Sequence, residues 1–291
     1  MVFDPSWTLF LRSLMPWAQG FFTAITELGS DIFYVALILT GFWAYKKREA
    51  ITVVWVLLVS VLTNYWIKLA IAHPRPDPIY WLEGADATNY STPSGHAQNS
   101  AMLFGFISAK VKRWWMYVVS TVLVVLIGIS RVYIGVHYLE DVFLGWALGF
   151  ALLVLLLLTE KRLTQFFAKY KTEQLYLLLF LFGLVATAIS TYLLPQPPND
   201  NFGSLGGLVM GIAIGLLLEK RYVNFTVEPP GGQKWRLVVR VVVGLLLVFA
   251  AMIGLAGVLP TDDVWLRAAR YALVAIIGAF VWPLVFKKAK L

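Results

Sequence analysis

The chain has no cysteine and little charge, and both deficits restrict what it can be. Without cysteine it forms no disulfide, no thiolate nucleophile and no cysteine metal site. Only 14% of its 291 residues are charged and 59% are hydrophobic. A soluble domain of this size would carry about a quarter charged residues. Histidine is also scarce, with three residues. The composition therefore indicates a membrane protein.

Apolar runs close to the length of a membrane crossing recur along the whole chain. Nine are predicted, at residues 21–44, 51–69, 95–109, 114–134, 142–158, 174–194, 203–218, 237–259 and 266–286. The expected fold class is an all-α, polytopic transmembrane helical bundle. Before the first run, a set of large apolar residues indicates a helix lying at the membrane interface: Trp7, Leu9, Phe10, Leu14 and Trp17.

The basic residues predict the orientation of the chain. Of the 24 Lys and Arg residues, 17 lie in one set of alternate loops, at residues 46–48, 110–113, 161–171, 220–236 and 287–290. Basic residues favour cytoplasmic loops, so the N-terminus is expected outside and the C-terminus in the cytoplasm. The same clusters explain the +8 net charge, which therefore does not indicate nucleic-acid binding. A multi-pass protein of a prokaryotic plasma membrane is the expected localisation.

Two regions are expected, because the polar motifs all precede residues 160–173. Residues 1–165 would form a catalytic membrane domain with the interfacial segment at its start. Residues 166–291 would form a membrane extension of about four helices with almost no buried ionisable residue. Glycines recur in this extension at i, i+4 spacing, at Gly203, Gly207, Gly211 and Gly215. Small residues on one face let helices approach closely, so helix packing is the expected role and a lipid groove is the alternative.

Three short polar runs interrupt the apolar chain. They are Lys68-x6-Arg75-Pro76, Pro93-Ser94-Gly95-His96 and Ser130-Arg131-x5-His137-x3-Asp141. Taken singly, each has a structural explanation, such as a snorkelling cation, a turn or a structural His–Asp pair. All three are predicted at span ends on the outer face, where charged groups beside a membrane core are costly and usually functional. Their combination therefore suits binding and cleaving a phosphoryl group.

The cations and the start of the third span fit a phosphoryl group. Arg75 and Arg131 offer planar donor forks, and Lys68 offers a compact charge. Ser94 and Gly95 open a helix whose free N–H groups and dipole favour an anion. No ligand spacing typical of a metal site is present, so no metal and no cofactor are expected.

The two motif histidines suit nucleophilic and acid roles. His137 and Asp141 are four residues apart and share a helix face. A carboxylate on one imidazole nitrogen fixes the tautomer and leaves the other nitrogen free to attack phosphorus. His96 can protonate the departing alkoxide as a general acid. Water would then hydrolyse the phosphohistidine.

The ordered pattern of these motifs resembles the type-2 phosphatidic acid phosphatase (PAP2) superfamily, and every motif position between residues 68 and 141 is filled. The superfamily includes lipid phosphate phosphatases, undecaprenyl pyrophosphate phosphatases, glucose-6-phosphatases and vanadium haloperoxidases. The resemblance implies a PAP2-like helical core, metal-independent hydrolysis and a phosphohistidine intermediate. It implies that His137 is the nucleophile, Asp141 its orienting partner and His96 the acid. The implied phosphate-binding residues are Lys68, Arg75, Ser94, Gly95 and Arg131.

The C-terminal extension departs from many bacterial lipid members. The nine-span layout, with the N-terminus outside and the C-terminus in the cytoplasm, also resembles glucose-6-phosphatases and some sphingosine-phosphate phosphatases. The expected function is hydrolysis of a lipid phosphate or pyrophosphate (isoprenyl, glycerolipid or sphingoid) at the outer membrane face. The partners expected are a membrane lipid substrate and the bilayer, with no obligatory protein partner. Alternatives are a phosphotransferase on the same scaffold, a phosphatase for a soluble sugar phosphate such as glucose 6-phosphate, and a non-catalytic lipid headgroup carrier.

Three residues outside the motifs are candidate substrate contacts. His73 precedes Arg75 and is either a loop residue beside the anion site or a contact to the substrate. Tyr80 and Trp81 lie in the following loop, where they are candidates to contact an acyl or isoprenyl chain at the interface.

Overall fold

A computed structural model describes residues 3–260 and 262–291, and over these residues all regular secondary structure is helical, without strands. Its α-helices are α1 (Ser6–Leu14), α2 (Gln19–Glu27), α3 (Asp31–Ala44), α4 (Lys47–Ile71), α5 (Gly95–Val111), α6 (Trp114–Ile134), α7 (Leu139–Phe167), α8 (Thr172–Tyr192), α9 (Gly203–Leu218), α10 (Trp235–Ala256), α11 (Val264–Ile276) and α12 (Trp282–Lys288). A π-helical turn, Ile277–Val281, joins α11 to α12, and another, Glu219–Val223, extends α9. The all-α prediction is confirmed.

Within the described residues, seven helices are long and apolar enough to cross a membrane. They are α4, α6, α7, α8, α10, α9 with its π turn, and α11 with α12. The bent pair Pro16–Glu27 and Asp31–Ala44 supplies an eighth if it is counted as one span. Helix α5 stands where the third span was predicted, but its 17 residues fall short of the roughly 20 that a full crossing takes. A multi-pass membrane protein is confirmed, and nine is an approximate number of spans.

The first predicted span, residues 21–44, is two helices that meet at an angle of 47°. Helix α2 ends in hydrogen bonds to carbonyls three residues earlier, donated by the backbone N–H groups of Leu28, Gly29 and Ser30. The Ser30 hydroxyl then accepts a hydrogen bond from the Phe33 N–H at 3.3 Å, as an N-cap does. Hydropathy does not reveal this corner, because the residues on both sides of it are apolar. The local sequence Gly29-Ser30-Asp31 does contain a helix-end signal followed by a helix-start signal.

The chain forms two compact units, and every polar motif belongs to the first. Unit 1 comprises Met1–Val35, Val53–Glu160 and Pro197–Asp200, and unit 2 comprises the remainder. In unit 1, α5 and α7 are in close backbone contact. A Cβ on Gly145 would lie 2.7 Å from the Ser94 carbonyl oxygen, and one on Gly149 would lie 2.5 Å from the Gln98 carbonyl oxygen. The N-terminal turns of α5 and α7 therefore lie side by side.

In unit 2, the glycine strip of α9 packs against α11. A Cβ on Gly207 would lie 2.1 Å from the Ala268 carbonyl oxygen, and one on Gly211 would lie 2.5 Å from that of Ala272. The register is parallel and the two backbones are nearly in contact, as small residues permit. The packing role expected for the strip is confirmed, and the lipid groove is wrong because α11 occupies its place.

Unit 2 also buries ionisable side chains, contrary to the expectation from sequence. Glu219 is 2% exposed and accepts a hydrogen bond from Lys47 Nζ at 2.7 Å. Arg240 is 3% exposed and donates to backbone carbonyls of Trp43, Val227 and Leu291. Lys47, Trp43 and Leu291 lie far away in sequence from the side chains they contact, which is why local composition does not reveal these pairs.

Candidate active site

A turn at Gly135 places His137 just before the start of α7. Helix α6 ends at Ile134, and Gly135 adopts a left-handed conformation with φ of +88°. A Cβ at Gly135 would lie 2.0 Å from the Tyr80 carbonyl oxygen, so glycine meets both the backbone and the space requirement. His137 follows two residues later, 2% exposed.

Asp141 holds this histidine by one ring nitrogen. It lies in the first turn of α7, and its Oδ2 accepts the Tyr138 N–H at 2.9 Å, as an acidic residue in the first turn of a capping box does. The same oxygen lies 3.2 Å from His137 Nδ1, and the carboxylate is fully buried. A carboxylate at Nδ1 favours the tautomer that leaves the lone pair on Nε2.

Two hydroxyls that the sequence reasoning missed complete the shell of Asp141. Ser91 donates to Oδ2 and Thr92 donates to Oδ1, and both residues are buried. Ser91 Oγ also lies 3.2 Å from His137 Nδ1. The only signal was the position of both hydroxyls immediately before the Pro-Ser-Gly-His run. A fully hydrogen-bonded buried carboxylate holds one orientation, so it also fixes the imidazole.

The second ring nitrogen of His137 faces a cation. Arg75 Nη1 lies 3.1 Å from His137 Nε2. Burial, and then the charge of Arg75, lower the pKa of His137 well below its ordinary value, with Asp141 acting in the opposite direction. The imidazole is therefore neutral at neutral pH, with a lone pair on Nε2.

Most N–H donors of Arg75 are hydrogen-bonded to backbone carbonyls, whereas the sequence predicts a guanidinium free to bind a phosphoryl group. Nε donates to the Asn89 carbonyl at 3.0 Å, Nη1 to that of Val136 at 2.9 Å and Nη2 to that of Thr88 at 2.7 Å. Burial lowers the pKa of Arg75 to about 10, which leaves it positive at neutral pH. Arg75 thus joins the loop before α5 to the turn that carries His137.

Lys68 holds the same loop from the last turn of α4. Its Nζ donates to the carbonyls of Tyr90 and Ser91, the latter at 2.9 Å. An ammonium has three N–H donors, so one remains for a ligand. The side chain is buried, 6% exposed.

Ser94 and Gly95 form the first turn of α5, with Ser94 as the N-cap. The Ser94 N–H donates to the Asp141 carbonyl at 3.0 Å, which ties α5 to α7. The Ser94 hydroxyl is buried and has no hydrogen-bond partner. A Cβ on Gly95 would lie 3.2 Å from Asn64 Oδ1. An unpaired buried hydroxyl at a helix N-terminus suits an anionic ligand.

Arg131 and His96 complete the cluster. Arg131 Nη1 donates to Thr26 Oγ1 at 2.8 Å, while its Nε is buried without a hydrogen-bond partner. His96 lies in the first turn of α5, two residues after Ser94, whose N–H binds the Asp141 carbonyl. The structure therefore brings the two motif histidines and all three motif cations into one charged cluster, in which Arg131 and Ser94 retain unused donors.

The three candidate substrate contacts make contacts within unit 1. The His73 ring stacks on Phe3, with 3.9 Å between ring centroids, and its carbonyl accepts the Ser91 N–H. The Tyr80 carbonyl accepts from Arg12, and Trp81 Nε1 donates to the Pro76 carbonyl at 2.9 Å. A direct contact of these side chains with substrate stays a prediction.

Arg12 is a further residue that the sequence reasoning left outside the site. Its Nε donates to the Tyr133 carbonyl at 2.9 Å and its Nη2 to that of Ile134 at 3.0 Å. These are the last carbonyls of α6, which lack partners in their own helix. Arg12 therefore caps the helix that delivers the His137 turn, and it fastens α1 to that helix.

The described residues contain no group of three His, Asp or Glu side chains placed to hold a metal ion. What they contain is a neutral imidazole oriented at both nitrogens, a second imidazole, and three cations. Such a set can bind a phosphoryl group and exchange it onto nitrogen.

The chain is similar to known membrane phosphatases. The PAP2 superfamily matches residues 49–165, and the transmembrane extension of PAP2 superfamily phosphatases matches residues 203–291. Phosphatidylglycerophosphatase B of Bacillus subtilis is 32% identical over 165 residues, which cover 52% of this chain and 79% of that protein.

Two other relatives are similar over more limited parts of their length. Lipid phosphate phosphatase delta of Arabidopsis thaliana is 26% identical over 230 residues, covering 71% of this chain and 53% of that protein. Undecaprenyl-diphosphatase of Sulfolobus acidocaldarius is 33% identical over 141 residues, covering 45% of this chain and 65% of that protein. With its motifs, its helical fold and these matches, the chain belongs to the PAP2 superfamily and carries the transmembrane extension of that superfamily's phosphatases.

Proposed function

We propose that the protein is a metal-independent membrane phosphatase that hydrolyses a lipid phosphate or pyrophosphate through a phosphohistidine at His137. The observation that carries the proposal is that polar groups contact both ring nitrogens of this imidazole. Asp141 and Ser91 lie at Nδ1, and Arg75 lies at Nε2. A purely structural His–Asp pair does not need a cation beside the far nitrogen, whereas an attacking imidazole at a phosphate site needs one close by to bind the phosphoryl group.

The reaction runs in two displacements at phosphorus. In the first, Nε2 of His137 attacks, an N–P bond forms, and the P–O bond to the lipid breaks. His96 gives its proton to the departing oxygen. In the second, water attacks the phosphohistidine from the side the lipid has left, His96 takes a proton from the water, and the N–P bond breaks. Inorganic phosphate and the neutral His137 are restored.

The cations stabilise the charge on the transferring group. Arg131 Nε and Ser94 Oγ, both buried and without hydrogen-bond partners, are the groups we assign to the phosphoryl oxygens. Lys68 adds one free N–H, and Arg75 can exchange its contact with Nε2 for a phosphoryl oxygen. Fixed donors in a buried site stabilise developing charge without reorganisation.

A lipid is the proposed substrate because the site lies at the ends of membrane helices. Lys68 ends α4, Ser94 opens α5 and His137 precedes α7. Two of the relatives are named for hydrolysis of a glycerophospholipid phosphate and of an isoprenyl diphosphate. We assign the site to the extracytoplasmic face, and the C-terminus to the cytoplasm, from the basic loops. Residues 1–165 are the proposed catalytic domain and residues 166–291 the membrane extension.

A substrate panel tests the activity. The purified protein would be assayed for phosphate release from phosphatidate, phosphatidylglycerophosphate, undecaprenyl diphosphate, a sphingoid phosphate and glucose 6-phosphate. We expect release from at least one lipid, with glucose 6-phosphate poor. A chelator should leave the rate unchanged, and vanadate, which mimics pentacoordinate phosphorus, should inhibit. Release of phosphate only to an added alcohol acceptor would instead indicate a phosphotransferase.

A trapping experiment tests the nucleophile. With ³²P-labelled lipid and a rapid alkaline quench, the protein should carry label that is lost in acid, as phosphohistidine is. His137→Ala should carry no label and release no phosphate, yet still bind the lipid, because the cations remain. His96→Ala should accumulate label from a substrate with a good leaving group. Label on His137→Ala, or full lipid movement across vesicles without hydrolysis, would contradict the mechanism and favour the carrier alternative.

A further inference from the structure

The corner between α2 and α3 lies against two members of the site, Arg131 and His96. Thr26, near the end of α2, accepts the Arg131 hydrogen bond at 2.8 Å. Gly29, in the corner, lies under His96, where an added Cβ would be 3.0 Å from His96 Cδ2 and 2.7 Å from Ile127 Cγ2. Both residues are buried. The first membrane segment is therefore broken at the place where it meets the site.

We propose that this corner is a positioning device of the active site, with Thr26 orienting Arg131 and Gly29 seating His96. The proposal rests on the proposed function, since it assigns the corner to the leaving-group side of that reaction. Attack and departure at phosphorus are in line. With His137 as the attacking group, the acid His96 and whatever supports its ring lie on the side from which the lipid oxygen departs.

An unbroken helix would not serve this role. The break lets the backbone of residue 29, without a side chain, approach the imidazole ring at Cδ2, and Ser30 restarts the helix immediately afterwards. The corner is also packed firmly, because Ile25, Leu28 and Phe33 on either side of it pack on the buried cluster that contains Phe104 and Ile127. A tightly packed corner limits the positions that the His96 ring can occupy.

The two positioning residues should give different kinetic signatures. Gly29→Ala displaces His96, so it should impair only reactions that need a protonated leaving group. We expect kcat/KM to fall about 10- to 100-fold for an alkyl phosphate. For p-nitrophenyl phosphate, whose nitrophenolate leaves without a proton, we expect less than about a threefold change. The ratio kcat/KM is the right quantity because it reports phosphoenzyme formation and not the later attack of water.

Thr26→Val should behave differently. It removes the acceptor of Arg131 at constant shape, so phosphoryl binding weakens whatever the leaving group. We expect equal losses of about 10-fold for both substrates, and recovery in Thr26→Ser, which keeps the hydroxyl. Gly20→Ala, on the same helix with open space around the glycine, is the matched control and should leave both rates near those of the wild type.

The outcomes separate this proposal from the proposed function. An equal loss on both substrates in Gly29→Ala would assign Gly29 to packing alone and overturn its role, while a wild type that still forms a His137 phosphoenzyme would keep the function. If Gly29→Ala is poorly folded, Gly29→Ala with Ile127→Ala removes the 2.7 Å contact and leaves the His96 contact to be tested. A wild type without phosphoenzyme would instead overturn the function.

Discussion

At the residue scale, the proposed nucleophile, His137, is defined by the groups that contact each of its two ring nitrogens. Burial and Arg75 together disfavour a charged imidazole at His137, and Asp141 only partly offsets them. The neutral form is the one that the proposed attack on phosphorus requires, so the same surroundings that orient the ring also favour its reactive form.

The titration of His137 can be measured directly, because the chain has only three histidines. We expect the ¹⁵N imidazole signal that is missing in His137→Asn to remain neutral below pH 6.5, the ordinary value for histidine. Because the folded pKa lies below the unfolded one, this group contributes stability above pH 6.5 that is lost as the pH falls. The denatured protein is the control and should titrate near pH 6.5. A folded-state midpoint above that value would contradict the role assigned to burial and Arg75.

Ser91 belongs to the same residue-scale argument. Ser91→Ala removes a hydroxyl that donates to the Asp141 carboxylate. A hydrogen bond to a charged group is worth about 1.5–3 kcal/mol, so we expect kcat/KM to fall about 10- to 100-fold. The matched control is Ser100→Ala, whose equally buried hydroxyl donates only to the Ala97 carbonyl of its own helix. Similar losses in both variants would show that general packing, and not orientation of Asp141, is at work.

At the element scale, the site depends on how closely α5 and α7 approach. Each carries half of the chemistry on its first turn: Ser94 and His96 at the start of α5, and Asp141, with His137 just before, at the start of α7. The glycines Gly145 and Gly149 leave no space for a side chain between the two helices. These helices can therefore keep the Ser94 turn of α5 against the Asp141 turn of α7 only while both glycines remain.

Substituting the two glycines separates activity from stability. Gly145→Ala would force the helices apart beside Ser94, and Gly149→Ala would do so one turn, about 5.4 Å, deeper. Overpacking costs about 1–3 kcal/mol, so both should lower the temperature of unfolding. Activity should fall further in Gly145→Ala, by about 10-fold or more. Gly254→Ala on α10, where a Cβ meets nothing within 4 Å, is the control, and equal activity losses in the two test variants would contradict the argument.

Helices were predictable from the sequence where one apolar run equals one helix. Residues 114–134 and 203–218 were predicted and observed as α6 and α9 with the same bounds. The prediction of one continuous helix was wrong at residues 21–44. The backbone is hydrogen-bonded on both sides of the break through Gly29 and Ser30, so the flanking segments stay apolar and their composition does not reveal the break. Hydropathy measures transfer to the membrane and does not measure helix continuity.

At the scale of the whole molecule, the motif residues were foreseeable and their supports were not. The spacing from Lys68 to Asp141 carries the chemistry in the sequence itself. Arg12, Thr26 and Ser91 act through hydrogen bonds to residues 50 to 122 positions away. No local pattern records such contacts. For the same reason Arg75 was expected to be an open fork, although loop carbonyls occupy most of its donors.

The orientation of the chain in the membrane can be tested because the chain has no cysteine. Single cysteines can be introduced without background and labelled with a membrane-impermeant maleimide. Ile79→Cys, in the loop before α5 where Ile79 is 81% exposed, should label in intact cells. Lys112→Cys and Lys234→Cys, in the basic loops, should label only after permeabilisation, because basic loops are retained in the cytoplasm. The unsubstituted chain is the control and should not label. The reverse pattern would move the phosphate site to the cytoplasmic face, and with it the leaflet from which the substrate is drawn.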